Sequence, residues 1–255
     1  MVGFLKRKKH DLPRDFDPGG GSLAGGASFD PASLFAGGKL GVFYDTATLA
    51  SLFQDRSLTP TTPAVVDGVV GTRKDLSGNN NHQLAPSDAA RPILRTSAGK
   101  YWLEFDNIDD IITSNGSIAL IGLSGAVFFG AGANNSGSTV LCHRAGASPF
   151  LGALTSGDDS AGSGFAATCF VDAVSTVNTR AALFSAIASA SGVAPHLFEA
   201  RNTNLTTFLN ISTGLYGGFE NLKRDYGLLA IAEADLGANE AALRTWFGQL
   251  MGLAL

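Results

Sequence analysis

Tyr101-Trp102-Leu103-Glu104-Phe105-Asp106 alternates between two kinds of side chain: Tyr, Leu and Phe fall on one side, Trp, Glu and Asp on the other. Successive residues of a strand point to opposite faces, so this stretch predicts a strand with Tyr101, Leu103 and Phe105 toward a core. Short apolar or alternating runs recur on both sides of it, at residues 93–94, 111–113, 117–121, 126–131, 140–144, 150–154, 164–171, 181–189, 197–201, 206–211 and 228–232. Gly, Asn, Ser and Asp fill the gaps between them. That spacing predicts an antiparallel sandwich or barrel. Residues 180–191 are rich in Ala and fit a helix as well as a strand.

The flanks read differently. Leu243, Trp246, Phe247, Leu250 and Met251 recur at one helical face. They predict a C-terminal helix, opened at Gly237 or Asn239 and packed on a sheet. Upstream, Asp30 and Pro31 fit the cap and first position of a short helical turn that Gly37-Gly38 ends. Residues 40–44 read as a strand, and Asp45-Thr46 as the start of a second short helix running to Phe53. Residues 54–82 read as loop. Within them Asp67-Gly68 sits between Val65-Val66 and Val69-Val70, a two-residue hairpin signal. No repeat of 20 to 50 residues marks a solenoid or propeller.

Composition narrows the class. Apolar residues make up 45% of the 255, enough for a large core, while charged residues are 16%, below the roughly 25% of average chains. The net charge of −4 is unevenly spread: Lys6, Arg7, Lys8, Lys9 and Arg14 against Asp11 give residues 1–14 a charge of +4 and the remainder −8. An acidic body is not a nucleic-acid footprint, so no specific nucleic-acid binding is expected. The segment from Asp17 to Gly26 holds five glycines and no apolar periodicity. Residues 1–28 are therefore expected to be an extended arm that docks on a partner through Lys6, Arg7, Lys8 and Lys9, and residues 29–255 the folded domain. The basic run leads into His10, Asp11 and Pro13 instead of an apolar stretch, so neither a signal peptide nor membrane insertion is expected. Cys142 and Cys169 lie in apolar runs and read as buried thiols of a reducing cytoplasm, with a disulfide between them as the alternative.

Three stretches occur in a telling order: Asp75-Leu76-Ser77-Gly78-Asn79-Asn80-Asn81-His82, then Ala90-Arg91-Pro92-Ile93-Leu94, then Leu103-Glu104-Phe105-Asp106-Asn107-Ile108-Asp109-Asp110. Together they resemble the concanavalin A-like (laminin-G-like) jelly-roll domains of bacteriophage structural proteins, across roughly residues 29–255. In that pattern Asn107 stands where glycine is usual. The resemblance implies a two-sheet sandwich in a virion, at the tail tip, fibre or attachment apparatus, assembled in the host cytoplasm. It implies other virion proteins and copies of the chain itself as partners, and a host surface glycan as a further one.

Chemistry is sparse. Trp102, Glu104 and Asp106 share the outer face of their strand, and a tryptophan beside carboxylates is what a sugar-binding cleft uses. The same strand is similar to the E-x-D-x-E strand of laminarinase-like glycosidases, but Ile108 occupies the third acidic position. Asp109-Asp110, Asp158-Asp159 and Asn134-Asn135 could offer oxygens to calcium, without the spacing of a calcium loop. His10, His82, His143 and His196 follow no zinc pattern. No phosphate loop or nucleophile motif is present. The reading is of a non-enzymatic protein without cofactor or metal: a virion component first, a carbohydrate-binding receptor module second, a cell-wall glycosidase last. Incubation with β-glucans and cell-wall glycans is expected to release no product; turnover that disappears in Glu104→Gln would overturn the non-enzymatic reading.

Overall fold

The computed structural model describes residues 29–115, 124–133, 138–143, 149–154, 168–176, 179–188, 193–204, 210–214 and 222–255. They form two antiparallel sheets stacked as a sandwich, with strands numbered in chain order. The larger sheet has eight strands. Seven lie in the order β12 (Val174–Thr176), β11 (Thr168–Val171), β13 (Pro195–Asn204), β8 (Ser124–Ala133), β15 (Leu222–Ile231), β6 (Lys100–Glu104) and β5 (Ile93–Ser97). The eighth, β1 (Gly41–Asp45), pairs with the second half of β15, where β6 has left off. The second sheet has seven, in the order β10 (Pro149–Leu154), β9 (Ser138–His143), β14 (Ser212–Gly214), β7 (Ile111–Ser114), β4 (Gln83–Leu84), β3 (Thr72–Arg73) and β2 (Leu52–Phe53).

The period of two dictates two apolar layers, not one. Val42 and Tyr44, Leu103, Val127 and Phe129, Phe198 and Ala200, and Leu228 and Ala230 face the second sheet and form the sandwich interior. Their neighbours Phe43, Trp102, Ala126 and Phe128, Leu197, Leu229 and Ile231 face the other way. The C-terminal helix α2 (Asn239–Met251) covers that outer face with Leu243, Phe247, Leu250 and Met251. Gly130 permits the approach: a Cβ there would lie 3.0 Å from the Met251 sulfur and 3.2 Å from the Phe247 ring. An ionic clasp holds the helix along its polar edge. Glu199, on β13 and 2% exposed, accepts from Arg244 of α2 at 2.8 and 2.9 Å and from Arg201 at 3.0 Å. Arg201 also reaches Glu240 of α2 at 2.7 Å.

One buried ion pair joins the sheets. Arg73 on β3 meets Asp225 on β15 in a two-pronged contact of 2.9 and 2.7 Å, both side chains fully buried. Its other donors go to Gln83 at 2.9 and 2.6 Å and to Thr46 at 3.3 Å, so all five N–H groups are used. The Tyr44 ring lies 5.0 Å from the guanidinium. On β15 the register slips between Asp225 and Gly227, which oppose Ala131 and Gly130. The extra residue, Tyr226, is turned to the outer cluster while Asp225 and Leu228 both point inward.

The 75–82 turn proves to be a brace. The Asp75 carboxylate accepts from the backbone N–H groups of Phe43 (2.9 Å), Ser77 (2.9 Å) and Asn81 (3.0 Å) and from the Ser77 hydroxyl (2.8 Å). Asn79 donates to the carbonyls of Lys39 and Gly41, both at 3.1 Å, and Tyr44 donates to the Asn81 carbonyl at 2.5 Å. The turn is thus sewn to β1.

Several expectations need correction. The helix expected from Asp45 to Phe53 shrinks to a 3-10 turn, Leu49–Ser51, followed at once by β2. Asp67-Gly68 does turn, with Gly68 donating to the Val65 carbonyl at 2.9 Å, but its flanks do not pair with each other: Val70 donates to Pro92 and Leu94 to Gly68. Of the two readings of residues 180–191, the helix holds, as α1 (Arg180–Ala188); Ala favours helix and Leu183 anchors it in the interior. The strand expected at 117–121, residues 206–209 of that expected at 206–211, and the arm, residues 1–28, lie outside the described residues. The 3-10 turn Pro31–Phe35, capped by the Asp30 carboxylate at 2.9 Å from the Ala32 N–H, matches expectation.

Removing one partner of a buried pair strands a charge. Arg73→Met is expected to cost about 3–5 kcal/mol in urea unfolding, and Arg73→Met with Asp225→Leu to recover most of it. A single-variant loss no larger than that of the double variant would refute the bridge.

Candidate functional site

The outer edge of β6 runs into the one cluster of carboxylates that the described residues gather. β6 ends at Glu104, and Phe105 turns the chain into the loop 106–110. The Asp106 carboxylate accepts from the backbone N–H of Ile108 at 2.7 Å and of Asp109 at 3.3 Å. The Asp110 carboxylate returns the favour, accepting from the Asp106 N–H at 2.8 Å. Asn107 sits at φ 65°, the left-handed region that Gly and Asn tolerate best. In the orientation its neighbours dictate, its amide donates to the Leu222 carbonyl at 3.2 Å and accepts from the Lys223 ammonium at 2.8 Å. Asparagine therefore replaces glycine here without loss of the turn, and ties it to β15.

Oxygens of Asp106, Asp109 and Asp110 lie within 4.8 Å of one another. Calcium takes roughly six to eight oxygen ligands, and Asp106 and Asp110 each already commit one oxygen to backbone amides. The turn explains their convergence. Asp110 is buried, and burial, reinforced by the neighbouring Asp106 and Asp109 charges, lifts its pKa to about 6.

Beside the turn is a pocket of about 220 Å³ walled by Glu104, Asp106, Asp110, Val193, Lys223 and Arg224. Glu104 opposes Arg224 on β15 and Ile93 on β5, and its carboxylate pairs with Arg95 at 3.1 Å. Arg95 also holds Asp67 at 2.7 Å. The pocket therefore combines carboxylates with two cations, a lining suited to a small hydroxyl-rich or zwitterionic group. Its size falls below the roughly 300–1,000 Å³ of most small-molecule sites.

Trp102, Glu104 and Asp106 are not brought together as expected. Trp102 does share the outer face with Glu104, but it is only 8% exposed. Arg224 lies 4.8 Å from its ring, Tyr226 6.0 Å away, and it belongs to the apolar cluster that includes α2. No stacking platform for a sugar ring exists at this residue. Asp106 lies beyond the strand, and its carboxylate is committed to backbone amides. Lys6, Arg7, Lys8 and Lys9 are outside the described residues, as are Asp158-Asp159 and Asn134-Asn135. His82 accepts from the Asp75 N–H at 3.1 Å, and His196 pairs with Asp172 at 2.7 Å; they serve separate turns. Cys169 is buried, and burial pushes its thiol up to about 11.

The sequence reading missed Asp110, Lys223 and Arg224 as neighbours of Glu104. Leu222-Lys223-Arg224-Asp225 shows no alternation, and pairing across strands is invisible to local pattern. The chain matches no protein-family model, no curated protein and no solved structure.

Because the folded pKa of Asp110 is raised above its ordinary 3.8, the folded state binds the extra proton between the two values. Stability is therefore expected to fall as pH rises from about 4 to about 6 and to level off above that. Asp110→Asn, which keeps the acceptor, is expected to flatten this slope and to raise the urea midpoint at pH 7. An unchanged slope would assign it to another group.

Proposed function

We propose that this chain is a bacteriophage virion structural protein, a component of the tail tip, fibre or attachment apparatus, which joins its neighbours through residues 1–28 and presents the sandwich outward. One observation carries the reading. The residues on which the resemblance rests are framework: Asp75, Ser77, Asn79 and Asn81 brace the 75–82 turn against β1, and Asp106, Asn107 and Asp110 build the turn after β6. A sandwich whose distinctive polar residues hold it together offers its partners a stable body, and docking then falls to the arm and the surface. The partners are other virion proteins and copies of the chain, met in the particle assembled in the host cytoplasm.

The reading is non-enzymatic. A retaining glycosidase needs a nucleophile and an acid/base carboxyl about 5–5.5 Å apart and free to act. Here Glu104 is ion-paired and Asp106 is occupied by amides. The second reading is carbohydrate binding in host recognition. The pocket of Glu104, Lys223 and Arg224 favours it, since it offers both donors and acceptors to hydroxyl groups.

Deletion of residues 1–28 is expected to leave the body folded, with the circular dichroism spectrum of a β-rich domain, and to abolish incorporation into particles. Normal incorporation of the truncated chain would refute docking by the arm. Glycan binding that Glu104→Gln and Arg224→Ala both abolish would favour the second reading.

A further inference from the structure

A groove of about 550 Å³ lies between the 3-10 turn Pro31–Phe35 and α2. Phe29, Pro31, Phe43, Leu76 and Trp246 give it apolar walls, and Asp30, Asp45 and Thr48 line it as well. Its volume is within the roughly 300–1,000 Å³ range of ligand sites. Trp246 is half-buried, its ring edge-on to Phe43 at 5.4 Å. Trp246 and Asp45 also line a smaller hollow of about 250 Å³.

The sequence holds a segment matched to this surface. One wall belongs to Phe29-Asp30-Pro31-Ala32-Ser33-Leu34-Phe35-Ala36-Gly37-Gly38. The chain spells nearly the same motif thirteen residues earlier, as Phe16-Asp17-Pro18-Gly19-Gly20-Gly21-Ser22-Leu23-Ala24-Gly25-Gly26. What the downstream copy does is visible. Asp30 caps the turn, Pro31 fixes its first position, and Phe29, Leu34 and Phe35 pack on the outer face of the larger sheet beside α2. The upstream copy keeps the ring, the capping acid, the proline and the following Ser-Leu. It replaces Ala32 by three glycines, which disfavours the helical turn but leaves the docking side chains.

We propose that the groove beside Trp246 seats the chain's own Phe16-Asp17-Pro18 segment, Phe16 lying against Trp246 and Leu76. The tether decides for the same chain over a second copy. Twelve residues separate Phe16 from Phe29, five of them glycine. A Gly-rich tether of that length spans about 20 Å root-mean-square, and short tethers of this kind give effective concentrations on the order of millimolar. Net charge agrees. Asp15 and Asp17 flank Phe16 near the carboxylates of Asp30 and Asp45, but with Arg14 and the Lys6–Lys9 run residues 1–28 still sum to +2 against −6 for residues 29–255. The proposal concerns the free chain and stands whether or not the virion reading does. A strap held by one ring and one proline is weak enough for a neighbouring surface to displace it.

The test uses the full chain with p-benzoylphenylalanine in place of Phe16. Irradiation is expected to give cross-links in the monomer band, mapped by mass spectrometry to peptides containing Leu76 or Trp246. Cross-links confined to a dimer band would overturn the same-chain seat and assign the groove to a second copy's arm. Cross-links elsewhere, or none, would overturn the groove itself. Acrylamide quenching gives an independent reading, because Trp102 is buried and Trp246 is the other tryptophan. Quenching is expected to rise severalfold in Phe16→Ser and to stay unchanged in Phe4→Ser. Equal quenching in Phe16→Ser and the parent would refute the seat.

Discussion

Arg73 and Asp225 meet between the two sheets with neither side chain exposed to water. Taking two charges out of water costs several kcal/mol each, and their attraction offsets this only when geometry is good and every remaining donor is satisfied. Here the guanidinium uses all five donors, split between Asp225, Gln83 and Thr46. Gln83 in turn donates to the Ile211 carbonyl at 3.3 Å, and Thr46 to the Asp225 carbonyl at 3.2 Å. The network is closed, and it reaches from β3 and β4 of one sheet to β15 of the other. It sets constraints on each: β15 must bulge at Tyr226 to keep Asp225 inward while Leu228 and Leu229 resume the alternation, and β3 must hold its register with β4 so that Arg73 opposes Gln83.

The bulge has a consequence on the far face. It turns Tyr226 toward the cluster under α2, next to Trp102. The larger sheet is thereby apolar on both sides, one covered by the second sheet and the other by the C-terminal helix. Glu199 with Arg201, Arg244 and Glu240 then fixes the helix along the sheet. A face that alternation alone would leave to solvent is closed. The polar surface that remains near β6 is the small pocket of Glu104, Lys223 and Arg224.

How much of this was legible depends on the range of the interaction concerned. The alternation from Tyr101 to Glu104, the helical stripe ending at Met251 and the Asp30-Pro31 turn are set by residues a few positions apart, and each formed, although the strand read to Asp106 stops at Glu104. The two-residue strands β2, β3 and β4 left no trace, because two residues cannot display a period; partners across the sheet define them. Asp67-Gly68 turned as its residues require, yet the segment after it found a better partner in residues 92–94. At the candidate site, Glu104 and Asp106 line one pocket, while Trp102 was assigned to solvent because nothing near it in sequence announces the helix that covers it.

The sequence by itself determined the longer sheet-forming segments, the closing helix and which side chains of a strand share a face, since backbone geometry fixes which way neighbouring side chains point. Only the tertiary structure decided which polar residues are buried and what they do. Arg73 falls in the stretch read as loop and Asp225 ahead of the strand read at 228–232; they are 152 residues apart, and contact alone makes them the link between the sheets. Direction along a strand is a property of adjacent peptide units, whereas the environment of a charge depends on every segment that packs around it.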